Sequence, residues 1–140
     1  MKRVLIADDE PIERMIVTRT IQKYFPEELA VVSAANGREA VEQFFAENCQ
    51  IALLDIEMPG MNGLEAAEQI RERDKNCSII FLTAFDEFNY ARRAIAVRAM
   101  EYLLKPVEDQ ELEAVLAEAI RIADEHTDDR EAGEKKEDEP

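Results

Sequence analysis

The stretch IALLDIEMPGMNG, Ile51 to Gly63, drives four aliphatic residues directly into a carboxylate. Ile51–Leu54 reads as a short strand buried on both faces, because every residue is apolar rather than every second one. Asp55 ends it. Pro59, Gly60 and Gly63 then break any regular element and demand a loop. A strand that hands a carboxylate to a loop places chemistry at the edge of a sheet, and the same kind of junction recurs along the chain.

Upstream, Val4–Ala7 is an apolar run ending in Asp8-Asp9-Glu10, with Pro11 suited to the first turn of a helix. That helix is expected to present Ile12, Ile16 and Thr20, with Val17, Ile21 and Phe25 widening the stripe, and to stop at Pro26. Leu29–Ala34 reads as a second strand, and Asn36-Gly37 turns into a helix bearing Ala40, Val41, Phe44 and Phe45. Beyond the opening loop, Leu64, Ala67 and Ile70 space out a helix. Ser78–Leu82 is a strand followed by Thr83-Ala84, and Phe88, Ala91 and Ile95 fit a short helix. Glu101–Leu104 is a strand closed by Lys105-Pro106, and Leu112, Val115, Leu116, Ala119 and Ala123 build the last helix. Strand and helix alternate five times, which predicts an α/β fold: a doubly wound parallel sheet with helices on both faces.

Bulk properties narrow the function classes. The chain has 140 residues, enough for one domain with a proper core. No stretch approaches the roughly 20 apolar residues of a membrane span, and the N-terminus is too short in apolar residues for a signal peptide, so a cytoplasmic location is expected. The formal net charge of −15, from 32 acids and 17 bases, disfavours direct binding of nucleic acid. Residues 121–140 hold nine of those acids against four bases, which sets an expected division between a domain at 1–124 and an acidic linker or disordered tail at 125–140. Cys49 and Cys77 form no metal-binding spacing and read as reduced packing thiols, and His126 reads as a surface residue.

In a parallel sheet ligands gather at the carboxyl ends of the strands. The residues there are Asp8 and Asp9 after the first strand, Asp55 after the third, Thr83 after the fourth and Lys105 after the fifth. Each alone has an ordinary reading as a helix cap, turn residue or surface charge. Brought together, the three carboxylates would repel, two charges ~4 Å apart costing about 4 kcal/mol at an effective dielectric near 20. A divalent cation resolves that, and carboxylates without thiol or imidazole favour Mg²⁺. Metal, ammonium, hydroxyl and a carboxylate nucleophile together suit phosphoryl transfer.

These motifs, in this order and spacing, resemble the receiver domain of response regulators in two-component signalling, over roughly residues 2–124. The resemblance implies a flavodoxin-like five-stranded sheet of strand order 2-1-3-4-5. It implies that Asp55 accepts a phosphoryl group from a histidine kinase. It further implies that Asp8, Asp9, Asp55 and the backbone carbonyl of Glu57 hold Mg²⁺, Asp8 through water. Thr83 and Ala84 would meet the phosphate, Lys105 would pair with it, and the Lys105–Pro106 bond would be cis. Tyr102 matches the switch aromatic, which follows the Thr83 hydroxyl inward and remodels the surface of the fourth helix, fifth strand and fifth helix, a surface that commonly mediates homodimerisation. The domain would be a phosphoacceptor and not an enzyme in the ordinary sense.

Two positions vary within that family. Glu57 and Phe85 are expected to overhang the site and modulate the lifetime of the phosphate. The segment Phe85-Asp86-Glu87-Phe88, with Tyr90-Ala91, is similar to receivers that drive an arabinose-regulator-type helix-turn-helix output, so the chain is expected to belong to a longer transcriptional regulator rather than to stand alone. An aspartyl-nucleophile phosphatase would need an Asp-x-Asp pair after the first strand, where adjacent Asp8-Asp9 stand instead. A phosphorylation-independent binding module would not need Asp55, Thr83 and Lys105 together.

Overall fold

The computed structural model describes residues 1–137. The elements alternate without exception: β1 (Lys2–Ala7), α1 (Pro11–Tyr24), β2 (Leu29–Ala34), α2 (Gly37–Ala46), β3 (Ile51–Leu54), α3 (Gly63–Arg73), β4 (Ser78–Thr83), α4 (Phe88–Ala96), β5 (Glu101–Leu104) and α5 (Asp109–Glu137). The strands form one parallel sheet of order β2-β1-β3-β4-β5, the order that the resemblance implied. Ala7 pairs with Ala34 on one side and Leu54 on the other, and Thr83 pairs with Leu104. β1, β2 and β3 therefore finish level, and β4 and β5 run two residues further because Leu54 pairs with Phe81. All five end on the same side, which carries Asp8, Asp55 and Lys105 to one edge.

Two apolar layers sandwich the sheet. Leu5, Ala52, Leu54, Ile79 and Phe81 face α2 and α3, meeting Phe44, Leu64 and Ile70. Val4, Ile6, Leu53, Ile80 and Leu82 face α1 and α5, meeting Val17, Ile21 and Leu116. β3 and β4 are buried at every position, as their unbroken apolar runs require. Cys49 and Cys77 are buried free thiols, pushed up to about 11 and about 12 by burial, in keeping with packing residues.

Two helices turn differently from expectation. On α1 the core face is Val17, Thr20 and Ile21, while Ile12 and Ile16 are 69% and 53% exposed. The stripe chosen from Ile12, Ile16 and Thr20 mixed two faces; only its C-terminal end reaches the sheet. On α4, Phe88 and Ile95 are 77% and 76% exposed, and Ala94 is the buried residue. Ala94 is the point at which the helix joins the apolar layer, and the large apolar residues point outward. The expected division at residue 124 coincides with no helix end, because α5 runs through it to Glu137. Residues 138–140 of the expected tail lie outside the described residues. No helix among the described residues is long and apolar enough to cross a membrane.

Candidate functional site

The loop that follows Asp55 is built to be rigid. Ile56 and Met58 are buried, which pins alternate residues and leaves Glu57 exposed between them. The Gly63 N–H donates to the Ile56 carbonyl at 2.9 Å, folding the loop back on its own start. A Cβ on Gly63 would lie 1.9 Å from the Asp55 carbonyl oxygen, so no other residue fits this closure. Asn62 and Glu65 form a reciprocal cap on α3. From the other side, Gly37 donates its N–H to the Met61 carbonyl at 3.1 Å, and a Cβ there would lie 2.3 Å from that oxygen. Strand, loop and helix thus hold Asp55 by backbone contacts, and the Asp55 N–H itself donates to the Ala7 carbonyl at 2.9 Å.

At this edge the carboxylates of Asp8, Asp9 and Asp55 each offer an oxygen within 4.8 Å of the others. Lys105 reaches into the group: its Nζ is 2.8 Å from Asp8 Oδ2 and 3.7 Å from Asp55 Oδ2. It is also 3.8 Å from Glu13 Oε2. Asp8 is further fixed by the Glu10 N–H donating to its Oδ1 at 3.0 Å, and Arg14 Nη1 donates to its carbonyl at 2.6 Å. Asp55 Oδ1 accepts from the Ile56 N–H at 2.8 Å. Burial pushes the Asp55 carboxyl up to about 6; Lys105 opposes the rise, while Asp8 and Asp9 add to it. Lys105 loses hydration on burial, but the hydrogen bond to Asp8 and the charges of Asp55, Asp8 and Glu13 outweigh that and raise it above its ordinary value. Crowded, underneutralised carboxylate oxygens are the donor set of a hard divalent cation.

Thr83 is wholly buried at the end of β4, and its Oγ1 accepts from the Phe85 N–H at 3.3 Å. Ala84 beside it is exposed. The Lys105 N–H donates to the Thr83 carbonyl at 2.8 Å, and the Lys105–Pro106 bond is cis. Tyr102 on β5 packs against Phe81, ring centroids 6.3 Å apart, and its hydroxyl donates to the Phe85 carbonyl at 2.6 Å. Phe85 is 43% exposed. Glu57 accepts a hydrogen bond from the hydroxyl of Tyr90 on α4, and that bond, ahead of a small burial effect and the charges of Glu57 and Glu87, pushes the tyrosine up to about 12.

The sequence profile of the response regulator receiver domain matches residues 4–117. The chain belongs to the receiver family. Receiver domains are signalling phosphoacceptors of two-component systems, phosphorylated by histidine kinases, and this one has their CheY-like fold. Among relatives, the positive alginate biosynthesis regulatory protein of Pseudomonas aeruginosa is 41% identical over 118 residues, 84% of this chain and 47% of its own length. The transcriptional regulatory protein YesN of Bacillus subtilis is 33% identical over 86% of this chain and 33% of its own. The receiver therefore spans a half or less of these relatives. The structure of the response regulator TrrA of Thermotoga maritima, in complex with Mg²⁺–BeF, superposes with a TM-score of 0.76 at 38% identity, covering 85% of this chain and 99% of TrrA.

The strand-end residues named from sequence, Asp8, Asp9, Asp55 and Lys105, come together at this edge of the receiver, with Thr83 on the adjoining strand. Sequence reading missed Glu13 and the tie between Glu57 and Tyr90. Glu13 carries a faint signal, an acid in the first turn of the helix that follows Asp8-Asp9. Tyr90 carries none, because its partner lies 33 residues earlier on another element.

Proposed function

We propose that Asp55 is the phosphoacceptor of this receiver and that Asp8, Asp9, Asp55 and the Glu57 backbone carbonyl hold Mg²⁺. The observation that carries the reading is the Asp8–Asp9–Asp55 cluster with Lys105 shared between Asp8 and Asp55. An Asp55 carboxylate oxygen attacks the phosphorus of a kinase phosphohistidine, and the P–N bond to the imidazole breaks as the P–O bond forms. Bound Mg²⁺ would supply the positive charge that keeps all three carboxylates ionised and offsets charge on the phosphoryl oxygens. Lys105 moves its ammonium between Asp8 and the phosphate, while the Thr83 hydroxyl and Ala84 N–H donate to phosphate oxygens. Glu57 and Phe85 set how long the acyl phosphate survives.

Tyr102 reports the change. When Thr83 turns toward phosphate it gives up the Phe85 N–H, and Tyr102 already holds the Phe85 carbonyl, so the β4–α4 loop is tied to both. Exposed Phe88, Ile95 and Leu104 on α4 and β5 form the face that remodels, and a phosphorylation-dependent homodimer uses it. The module is residues 1–124, followed by an acidic linker at 125–140 to an arabinose-regulator-type transcriptional output. It acts in the cytoplasm and, at −15 formal charge, leaves DNA contact to that output.

The test is incubation of the chain with acetyl phosphate and Mg²⁺ followed by intact mass. The expected result is one phosphoryl group on the parent and none on Asp55→Asn. Equal incorporation by both would remove Asp55 from its role, and steady turnover of phosphomonoesters would instead support a phosphatase.

A further inference from the structure

Glu57 sits two residues past Asp55, with the backbone on either side of it anchored by buried Ile56 and Met58. The reach of its carboxylate is therefore set by side-chain rotation alone. In the structure that rotation is decided by α4, whose Tyr90 donates its hydroxyl to Glu57 Oε1. The Tyr90 ring is not free to follow the glutamate, because it packs against the apolar layer that contains Ala94 and Val97. One turn on, Arg93 bonds Glu68 of α3 at 3.0 Å through Nε, which fixes this side of α4 against the neighbouring helix. Tyr90 is thus a fixed donor, and Glu57 is the group it holds.

Resting on the reading of Asp55 as phosphoacceptor, we propose that Tyr90 is a positioning residue: its hydroxyl holds the Glu57 carboxylate against α4 and away from the aspartyl phosphate, which slows hydrolysis. Hydrolysis joins a water oxygen to phosphorus and breaks the bond from phosphorus to Asp55, which leaves as a carboxylate. The proton released by the water needs an acceptor. A glutamate two residues from the acyl phosphate is a general base when its carboxylate is loose, and an idle one when its oxygen is engaged by a phenol on a packed helix. Lys105 and Asp8 are occupied by one another, and Asp9 lies in the Asp8–Asp9–Asp55 cluster that a bound cation would neutralise, so Glu57 is the carboxylate whose availability is variable. Tyr90 acts through Glu57 without contact with the phosphoryl group.

The test uses the whole chain phosphorylated with acetyl phosphate and Mg²⁺, freed of the donor, with loss of phosphate followed by intact mass. Tyr90→Phe keeps the packed ring and removes the hydroxyl. The expected result is hydrolysis about tenfold faster, below the ~10²–10⁴ of a fully positioned base. Glu57→Gln hydrolyses no faster than the parent, and the double variant returns to the Glu57→Gln rate. A parental rate in Tyr90→Phe overturns the proposal, as does a speed-up that survives in the double variant, which would mean the hydroxyl acts by loosening α4. A parent chain that takes up no phosphate overturns the Asp55 reading and this inference with it, an outcome distinct from normal uptake with unchanged decay.

Discussion

Two charged side chains are embedded at opposite ends of the sheet, and the protein treats them in opposite ways. Arg71, at the end where the strands begin, is 8% exposed and donates to four carbonyls: Val97 and Cys77 at 2.8 Å, Arg98 at 3.2 Å and Asp74 at 3.3 Å. Its donors are consumed by backbone, and it stitches α3 to β4 and to the turn after α4. Asp55, at the end where the strands finish, has one backbone N–H and a share of one lysine, and it faces two further carboxylates. A buried charge whose partners are all internal is a structural rivet. One whose partners are insufficient is left for something that arrives from outside.

The comparison breaks most visibly at Arg71. Arg71→Met keeps most of the apolar stem but strands four carbonyls, and a loss of about 4 kcal/mol in urea unfolding is expected from such a network. The same variant leaves uptake of phosphate at Asp55 unchanged under conditions where it is folded. A loss under about 1 kcal/mol would show that water replaces the guanidinium and that the rivet is not one.

Asp55 should show the reverse sign. Its carboxyl is raised to about 6 in the fold, against an ordinary value of 3.8. A group raised on folding favours the fold fully below its unfolded value and loses that favour as pH climbs through the folded value. Without metal, stability therefore falls between about pH 4 and pH 7, by about 3 kcal/mol at full burial and about 2 for this half-buried residue. Asp55→Asn removes that slope, so in a chelator it is more stable than the parent at pH 7 and not at pH 4. Parallel pH profiles for the two proteins would sink the assignment.

How much of this contrast was legible follows from range. The site's first members sit where strands end, and apolar runs locate strand ends without any knowledge of neighbours, so Asp8, Asp9, Asp55, Thr83 and Lys105 could be placed from sequence. The α4 face could not, because its packing residue is Ala94 while its most apolar residues, Phe88 and Ile95, point outward. Periodicity reads apolarity as burial, and a helix that exposes its large side chains defeats it. The rivet was illegible for a related reason: carbonyl acceptors carry no sequence signature, so nothing in the chain marks Arg71 as different from exposed Arg73 two residues on. α1 failed in between, its inner face right at Val17 and Ile21 and wrong at Ile12 and Ile16.

Glu13 gives the smallest effect and the finest edge to the comparison. It lies on the half-buried side of α1 with its carboxylate 3.8 Å from Lys105, a third claimant on the one ammonium that Asp8 and Asp55 share. Its charge helps raise Lys105, so it contributes stability that is complete below the ordinary lysine value of 10.5 and fades as pH rises through the raised one. Glu13→Gln should cost about 0.5 kcal/mol at pH 7, the scale of a partly exposed ion pair, and nothing once Lys105 has lost its proton. Because the variant also frees Lys105 from one competitor, the ammonium spends more time on Asp55, and the destabilisation measured in chelator should be smaller than in Lys105→Met by several-fold. A cost for Glu13→Gln as large as that for Lys105→Met would place Glu13 with Arg71's carbonyls, as part of the frame, rather than with Asp55 as part of what is left unsatisfied.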